Sequence, residues 1–335
     1  MHVFIVPALD GPVTGGTLFN RMLLSSLKES GIACGVLSAA EAIAQATSSD
    51  VCWVDSLFLD QLPRLRRLSR AARVGLLAHY LPSLVEHGER VGRGDLTRPE
   101  VEALHWAEMI MVPSVFMRGI VEGLLDETRP VLDLEPGRLA AAPATLPDPP
   151  VRAVLVANLS PGKGVLPFLR HLAAQTRQDD FVLDIIGAHD FDVAYTHECR
   201  LAASDPRLGG RVKMLGARSP EETVAHIARA NLFVSASTME SYGMAVAEAR
   251  TLGLPILACP GGNVERLVAT DGGDRIVADA AALALAFVEL CRNPVEHRER
   301  MARAARRSLP ARPWGSVADE LVRKTRALLP EEARV

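Results

Sequence analysis

The sequence predicts an α/β protein built from two halves, each with its own parallel sheet. Short apolar runs alternate with segments of helical periodicity along the 335 residues, which is typical of strands joined by crossover helices. A proline-rich stretch, APATLPDPP (142–150), interrupts this alternation, and the pattern then starts again. With four prolines in nine residues and no periodicity, this stretch is typical of a linker between two domains.

In the first half, the predicted order is strand, helix, three strands, helix, strand and helix. Gly31 closes the first helix, and the three consecutive strands are apolar enough to be buried on both faces. The segments are HVFIVPAL, TGGTLFNRMLLSSLKESG, ACGVLS, VCWVDS, VGLLAHY, RPEVEALHWAE, MIMVPS and VFMRGIVEGLL.

In the second half, strands and helices alternate again. The clearest helix start is at Ser219, an N-cap followed by Pro220 in the first turn and by Glu222 three positions on. The segments are RAVLVANL, VLPFLRHLAAQ, FVLDIIGA, RVKMLG, SPEETVAHIARA, NLFVSAS, SYGMAVAEARTLG and PILAC, then the helices DAAALALAFVELCRN, PVEHRERMARAARRSL and Ser316 to about Leu329.

These elements predict two Rossmann-like domains, residues 1–145 and 146–311, with a helix in 312–335 that crosses back onto the first domain. Two such halves on a hinge imply a cleft between them. Ligands of open α/β sheets bind outside the carboxyl ends of the strands, so this cleft is the expected site.

Composition narrows the class of protein. A net charge of −3 argues against a general nucleic-acid binder. The five cysteines are far apart and form no CxxC pair, which indicates a reducing cytoplasm. The N-terminus lacks the basic and apolar regions of a signal peptide, and no apolar run is long enough to cross a bilayer. We therefore expect a soluble cytoplasmic protein.

Two glycine-containing loops follow predicted strands. In LDGPVTGGTLFN, Gly11, Gly15 and Gly16 precede the first helix, where backbone N–H groups can meet an anion. The motif is not GxGxxG and no acid ends the next strand, which argues against a nicotinamide enzyme. In ANLSPGKGVLPFL, Lys163 lies between two glycines and can reach a diphosphate. Taken alone, the first loop is equally compatible with an ordinary glycine-rich turn, and a lone loop lysine such as Lys163 is more often simply solvated.

The segment MESYGMAVAE carries two carboxylates, Glu240 and Glu248, around a helix start. The helix dipole explains an acid at Glu240. It explains Glu248 less well, because the neighbouring positions are apolar and a carboxylate at the rim of a packed helix needs a partner. The spacing is compatible with chance on a solvated helix, or with two acids that hold hydroxyl groups of one ligand.

The sequence resembles the retaining GT-B glycosyltransferases of the family-4 type (glycosyl transferases group 1). The resemblance covers residues 151–270, where order and spacing agree over six elements, and is thinner in the N-terminal half. It rests on the Glu240–Glu248 pair, NLSPGKG, LDIIGA, RVKMLGARSPEETVAHIARANLFVSAS and GLPILACPGGNVERL, with PALDGPVTGGTLFN, LLAHYLP and AEMIMVPSVFMRGIV in the first half.

The resemblance implies a role for each matching residue. Glu248 would bind the ribose of a nucleoside diphosphate sugar, and Glu240 would hold the transferred sugar, near which His79 would also lie. Lys163 would neutralise the leaving diphosphate. The other implied contacts to the donor are Gly15 and Gly16, Ser241, and the backbone N–H groups of Gly243, Met244 and Ala245.

One position departs from the family pattern. The family commonly has an arginine five residues before the loop lysine, where this chain has Asn158. Arg218 or an arginine of the first half could replace that cation, donor binding could be weaker, or catalysis could be lost. The resemblance implies a reaction without a metal, as is usual in families of this type, and AHDFD (188–192) is better explained as a solvated turn than as a metal site.

The expected activity is metal-independent sugar transfer with retention, from a UDP- or GDP-sugar to a sugar, lipid or natural-product acceptor, without a further cofactor. A nucleotide-sugar epimerase or hydrolase and a non-catalytic nucleotide-sugar-binding protein remain alternatives. The arginine-rich RLRRLSRAAR (64–73) is expected to form a solvated helix face rather than a membrane contact. Residues 86–100 could close over an acceptor or form an ordinary surface loop.

Overall fold

A computed structural model describes residues 1–11, 13–71, 73–138 and 150–329. The chain divides into two compact units, Met1–Gly137 with Arg312–Val335, and Arg138–Ala311. The expected domain boundary at 145, and the predicted linker apart from Pro150, lie outside the described residues.

The first unit contains one parallel sheet of six strands in the order β2-β1-β3-β4-β5-β6. The chain order of its strands reverses at β1, which is a doubly wound arrangement with a switch point between β1 and β3. Its elements are β1 His2–Ile5, α1 Gly15–Glu29, β2 Cys34–Val36, α2 Ala39–Gln45, β3 Val51–Asp55, α3 Leu62–Leu68, β4 Arg73–Leu77, α4 Pro82–His87, α5 Arg98–Trp106, β5 Met109–Val112, α6 Val115–Leu124 and β6 Val131–Asp133.

The second unit contains a second parallel six-stranded sheet, in the order β12-β11-β10-β7-β8-β9. This is the Rossmann strand order, and its switch point lies between β7 and β10. Its elements are β7 Val151–Val156, α7 Val165–Gln175, β8 Phe181–Ile186, α8 Val193–Ala203, β9 Val212–Gly216, α9 Pro220–Arg229, β10 Leu232–Ser235, α10 Met244–Thr251, β11 Ile256–Ala258, α11 Val264–Leu267, β12 Arg275–Ile276, α12 Ala280–Arg292 and α13 Pro294–Arg306.

The last helix, α14 (Trp314–Leu328), belongs to the first unit although it follows the second unit in sequence. Trp314 packs edge-on against Phe19 of α1, with ring centroids 5.5 Å apart. Gly137 leaves the room for this indole, because a Cβ there would come within 2.6 Å of its ring. Lys324 also bonds to the backbone and carboxylate of Asp133.

Apolar residues fill both faces of each sheet. In the second unit, Phe168, Phe181 and Phe287 stack edge-on in one core, between the sheet, α7 and α12. The opposite face is covered by residues of α9 and α10, among them Ile227 and Val246. The sheet is therefore sealed on its faces and open at its ends, where the loops lie.

The arginine-rich segment 64–73 is not one helix, contrary to the sequence-based expectation. Helix α3 ends at Leu68 because Ser69 is extended and its hydroxyl accepts the N–H of Ala71. Arg66 and Arg73 both pair with Glu108. These two arginines therefore serve the first unit's own packing. None of the described helices is both long and apolar enough to cross a bilayer.

Residues 86–100 are tied to α4 and α5 through Glu100, whose side chain is fully buried. Its carboxylate accepts hydrogen bonds from the backbone N–H groups and hydroxyls of Ser83 and Thr97, at 2.5–2.9 Å. These bonds hold the pKa of Glu100 below its usual value against the opposing effect of burial. The segment is thus anchored at both ends.

Candidate functional site

The second unit places its candidate residues at the switch point of its sheet. The loop after β7 carries Asn158 and Lys163, and the loop after β10 carries Glu240, Ser241 and Gly243. Because β7 and β10 are adjacent and parallel, both loops leave the same edge of the sheet. A small cavity there is lined by the ends of the two strands, Lys163 and Glu240.

Lys163 and Glu240 form an ion pair across this switch point. The Lys163 Nζ lies 2.6 Å from Glu240 Oε1, and the two side chains are 30% and 21% exposed. The N–H of Thr238 donates to the carbonyl of Gly162 at 3.0 Å and so joins the two loops. Gly164 is left-handed, with φ +64°, and a Cβ there would overlap the carbonyl of Ala236. A larger residue could not bring the lysine this close.

The loop after β11 holds the backbone around Glu240. The N–H of Asn263 donates to the Glu240 carbonyl and its side-chain amide to the Tyr242 carbonyl, both at 2.8 Å. Gly262 lies against the same carbonyl of Glu240, where a Cβ would overlap it. Arg138 in turn donates to the Tyr242 hydroxyl at 2.6 Å. Sequence reasoning missed Asn263, Tyr242 and Arg138 as supports, although PGGN and the SYG triplet carried a signal.

Helix α10 begins with free donors. Gly243 is its N-cap, with φ +87°, and no side chain caps the helix. The N–H groups of Met244 and Ala245 have no acceptor within the helix, and no described group accepts from them. The start of α10 can therefore bind an anion.

Glu248 lies one turn into α10, on the same face as Met244. It is partly buried, and within the described part of the chain its carboxylate makes no hydrogen bond or ion pair. Burial raises the pKa of Glu248 to about 7. A carboxylate in this state is stabilised by a ligand that donates hydrogen bonds to it.

Asn158 and Arg218 each have a hydrogen-bond partner outside the Lys163–Glu240 pair. The Asn158 side-chain carbonyl accepts the N–H of Ala188 at 2.9 Å and so braces the loop after β8. Arg218 is exposed and donates to the carbonyl of Ala217 next to it. No ion pair or hydrogen bond among the described residues joins Arg218 to Glu240.

The first unit brings His79 together with two residues that sequence reasoning did not select. His79 Nε2 lies 2.9 Å from Asn20 Oδ1, and Asn20 Nδ2 donates to Asp55 Oδ2 at 2.7 Å. Gly16 packs on the His79 ring, since a Cβ there would lie 3.2 Å from Cδ2. Gly15 is the first residue of α1. The one available signal was that Asp55 ends the apolar strand VCWVD.

No group of three or more His, Cys, Asp or Glu side chains suited to a metal ion occurs in residues 1–11, 13–71, 73–138 and 150–329. Within AHDFD, Asp192 is the N-cap of α8 and accepts the N–H of Tyr195 at 2.9 Å. Its carboxylate therefore has a structural role.

The family model for glycosyl transferases group 1 matches residues 141–308, which is half of the chain. The chain belongs to this family. The matched range contains the Lys163 and Glu240 loops and α10. No curated protein sequence is significantly similar to this glycosyltransferase.

Solved structures of glycosyltransferases share its fold. A sucrose-phosphate synthase from Thermosynechococcus elongatus is 16% identical, with a TM-score of 0.79 over 98% of both chains. Anabaena HepE in complex with UDP and glucose is 15% identical, with a TM-score of 0.75 over 97% of this chain and 98% of its own. A Rickettsia africae glycosyltransferase is 14% identical, with a TM-score of 0.64 over 98% of both chains. The two parallel-sheet units are thus those of a GT-B glycosyltransferase, as the sequence predicted.

Proposed function

We propose that this glycosyltransferase moves a sugar from a nucleoside diphosphate sugar to an acceptor hydroxyl, with retention of configuration and without a metal ion. The observation that carries the proposal is the Lys163–Glu240 ion pair beside the uncapped start of α10. A cation and free N–H groups suit a diphosphate, and a carboxylate next to them suits sugar hydroxyls.

The donor would extend along α10. Its diphosphate would bind the N–H groups of Met244 and Ala245 and the Lys163 ammonium, with Gly243 and Ser241 at the turn. Its ribose hydroxyls would donate to Glu248, which lies one turn further and needs hydrogen-bond donors. The spacing of the two carboxylates would thus match the distance between sugar and ribose.

The chemical step follows from these charges. The bond between the sugar carbon and the diphosphate oxygen breaks, and negative charge accumulates on the departing diphosphate. Lys163, already positioned by Glu240, would stabilise that charge. Glu240 would hold the sugar hydroxyls while the acceptor oxygen forms the new bond on the same face and passes its proton to the departing diphosphate oxygen.

In the first unit, we propose that His79 acts beside the transferred sugar, with Gly15 and Gly16 as donor contacts. Gly16 supports this role because it leaves the edge of the His79 ring uncovered by a side chain. We propose a UDP-sugar as the donor, since HepE is described in complexes with UDP and with UDP-glucose.

Release of nucleoside diphosphate from UDP-, GDP- and ADP-sugars, with and without a panel of sugar and lipid acceptors, tests this function. Release that depends on an acceptor is expected, and product anomers assigned by NMR should retain the donor configuration. Release without any acceptor would indicate a hydrolase. Nucleotide binding without release would indicate a binding protein.

Lys163→Ala should lower kcat about 10²–10³-fold, the typical cost of removing one group that stabilises a developing oxyanion. Lys213→Ala is the matched control, because Lys213 is exposed on β9 of the same unit. Equal rates for the two variants would contradict the role of Lys163.

A further inference from the structure

The first unit contains a row of three polar side chains that leads from its interior to His79. Asp55 ends β3, Asn20 lies on α1 and His79 follows β4. Asn20 is fully buried and Asp55 is 2% exposed, while the His79 side chain is 11% exposed. The row therefore begins at the buried carboxylate of Asp55 and ends at His79, the most exposed of the three side chains.

The hydrogen bonds of this row have only one possible direction. An ionised carboxylate accepts and never donates, and Asp55 takes the N–H of Leu57 on Oδ1 and the amide of Asn20 on Oδ2. The Asn20 NH₂ group must therefore face Asp55, and its carbonyl must face His79. At 2.9 Å from that carbonyl, His79 Nε2 has to carry a hydrogen.

The other ring nitrogen of His79 is left with a lone pair. No described group forms a hydrogen bond with Nδ1. Among the described residues, Nδ1 is also not one of the fully buried polar atoms that lack a partner, so it remains accessible. Phe19 packs edge-on at 5.0 Å and Gly16 faces Cδ2, which together restrict rotation of the ring. Burial lowers the pKa of His79 while Asp55 raises it, and the net shift is downward. The neutral ring is thereby favoured near pH 7.

We propose that Asp55, both through Asn20 and through its own Oδ2 at 3.5 Å from His79 Nε2, sets the tautomer of His79 so that Nδ1 accepts a hydrogen bond from a ligand hydroxyl. Asp55 and Asn20 are positioning residues in this scheme, comparable to the carboxylate that orients a catalytic histidine in hydrolases. The matching ligand chemistry is a hydroxyl group of a sugar or an acceptor. A carbonyl or phosphate oxygen offers no hydrogen to a neutral Nδ1.

Asp55→Asn should reverse the direction of the hydrogen bonds between residues 55, 20 and 79, because the new side chain has the same shape but can donate. The new amide keeps its oxygen on Leu57 N–H and donates its NH₂ to the Asn20 carbonyl. Asn20 then turns its own NH₂ toward His79 Nε2, which must accept, and the hydrogen moves to Nδ1. The variant thus predicts an inverted tautomer.

Histidine-selective ¹⁵N NMR of the full chain measures this directly, at a pH above the imidazole pKa. The His79 signal is assigned by its loss in His79→Gln. Wild type should show an unprotonated Nδ1 and a protonated Nε2, and Asp55→Asn should show the reverse. A protonated Nδ1 in wild type overturns the proposal, and this result does not depend on whether Asp55→Asn folds. An unchanged tautomer in folded Asp55→Asn overturns it as well.

The effect on turnover rests on the proposed function. Asp55→Asn should lower kcat about ten- to a hundredfold, because a ligand hydroxyl then faces an N–H instead of a lone pair. Asp50→Asn is the matched control, since Asp50 is also buried and lies just before the other end of β3. In Asp50→Asn, the His79 tautomer and kcat should match those of wild type. A loss of kcat equal to that of Asp55→Asn would contradict the positioning role of Asp55. If no donor is turned over by wild type, the proposed function fails while the tautomer assignment is still decided by the spectrum.

Discussion

The Glu248 carboxylate is partly buried and has no hydrogen-bond partner among the described residues. It lies among the apolar residues Val246, Ala247 and Ala249, which are all buried, and no described side chain or backbone group bonds to it. Its raised pKa of about 7 is the electrostatic consequence. At the scale of the single residue, function and stability are therefore opposed.

Glu248→Gln should stabilise the free protein at pH 8 and weaken UDP binding. The folded-state pKa of about 7 exceeds the reference value of 4.5, so the folded state binds more protons between these values and loses stability as the pH rises through them. Above pH 7 the full penalty applies, as much as about 3 kcal/mol. Thermal unfolding at pH 8, with and without UDP, measures both effects.

In the same experiment, the variant should show a higher Tm without UDP and a smaller rise in Tm on adding UDP. Glu265→Gln on α11 is the control, because Glu265 is exposed. An unchanged Tm together with an unchanged response to UDP would contradict both roles of Glu248.

At the scale of elements, the site depends on loops packed on loops. Gly262 in the loop after β11 and Gly164 in the loop before α7 each approach a backbone carbonyl of the β10 loop. Both have a positive φ, which glycine adopts at little cost. The position of Glu240 is therefore set by three connections at the same sheet edge rather than by its own loop.

Gly262→Ala should destabilise the protein and lower kcat, because its Cβ would push the Glu240 backbone away from Lys163. Gly210→Ala is the matched control, since Gly210 has φ +72° but no atom within 4 Å of an added Cβ. Left-handed backbone strain alone should cost about 1–2 kcal/mol in both variants. Urea unfolding and kcat, measured for both, should show an additional loss only for Gly262→Ala. Equal losses would mean that the contact with Glu240 is unimportant.

At the scale of the whole molecule, each unit contains a buried histidine whose pKa is strongly lowered, His2 in the first unit and His297 in the second. Burial lowers the pKa of both His2 and His297 to about 4. Trp53 donates to His2 Nδ1, and His297 contacts Asn231 Oδ1 at 3.1 Å. Acid should therefore destabilise both units over the same pH range.

His297→Gln should reduce the acid sensitivity of the second unit. Between the reference pKa of 6.5 and the folded value of about 4, the unfolded chain binds the extra proton. Each such histidine then costs about 1.4 kcal/mol per pH unit as the pH falls. Urea unfolding followed by circular dichroism at pH 7 and pH 5 should show a smaller loss for the variant, whose amide can still donate to Asn231. His171→Gln is the control, because His171 is exposed. If His297→Gln lost as much unfolding free energy between pH 7 and pH 5 as wild type does, this account would be contradicted.

Sequence patterns sufficed for the two parallel sheets, for the Lys163 loop and for the Glu240–Glu248 pair around a helix start. All of these depend on local periodicity, on glycine placement and on short spacing. Other features could be seen only in the tertiary structure. Asn158 braces the loop after β8, and Arg66 and Arg73 form ion pairs with Glu108. Asp55, Asn20 and His79 form one hydrogen-bonded row. Those partners lie 24 to 59 residues apart in the chain. Hydrogen-bond direction and burial arise only when the sheet brings the ends of distant strands together.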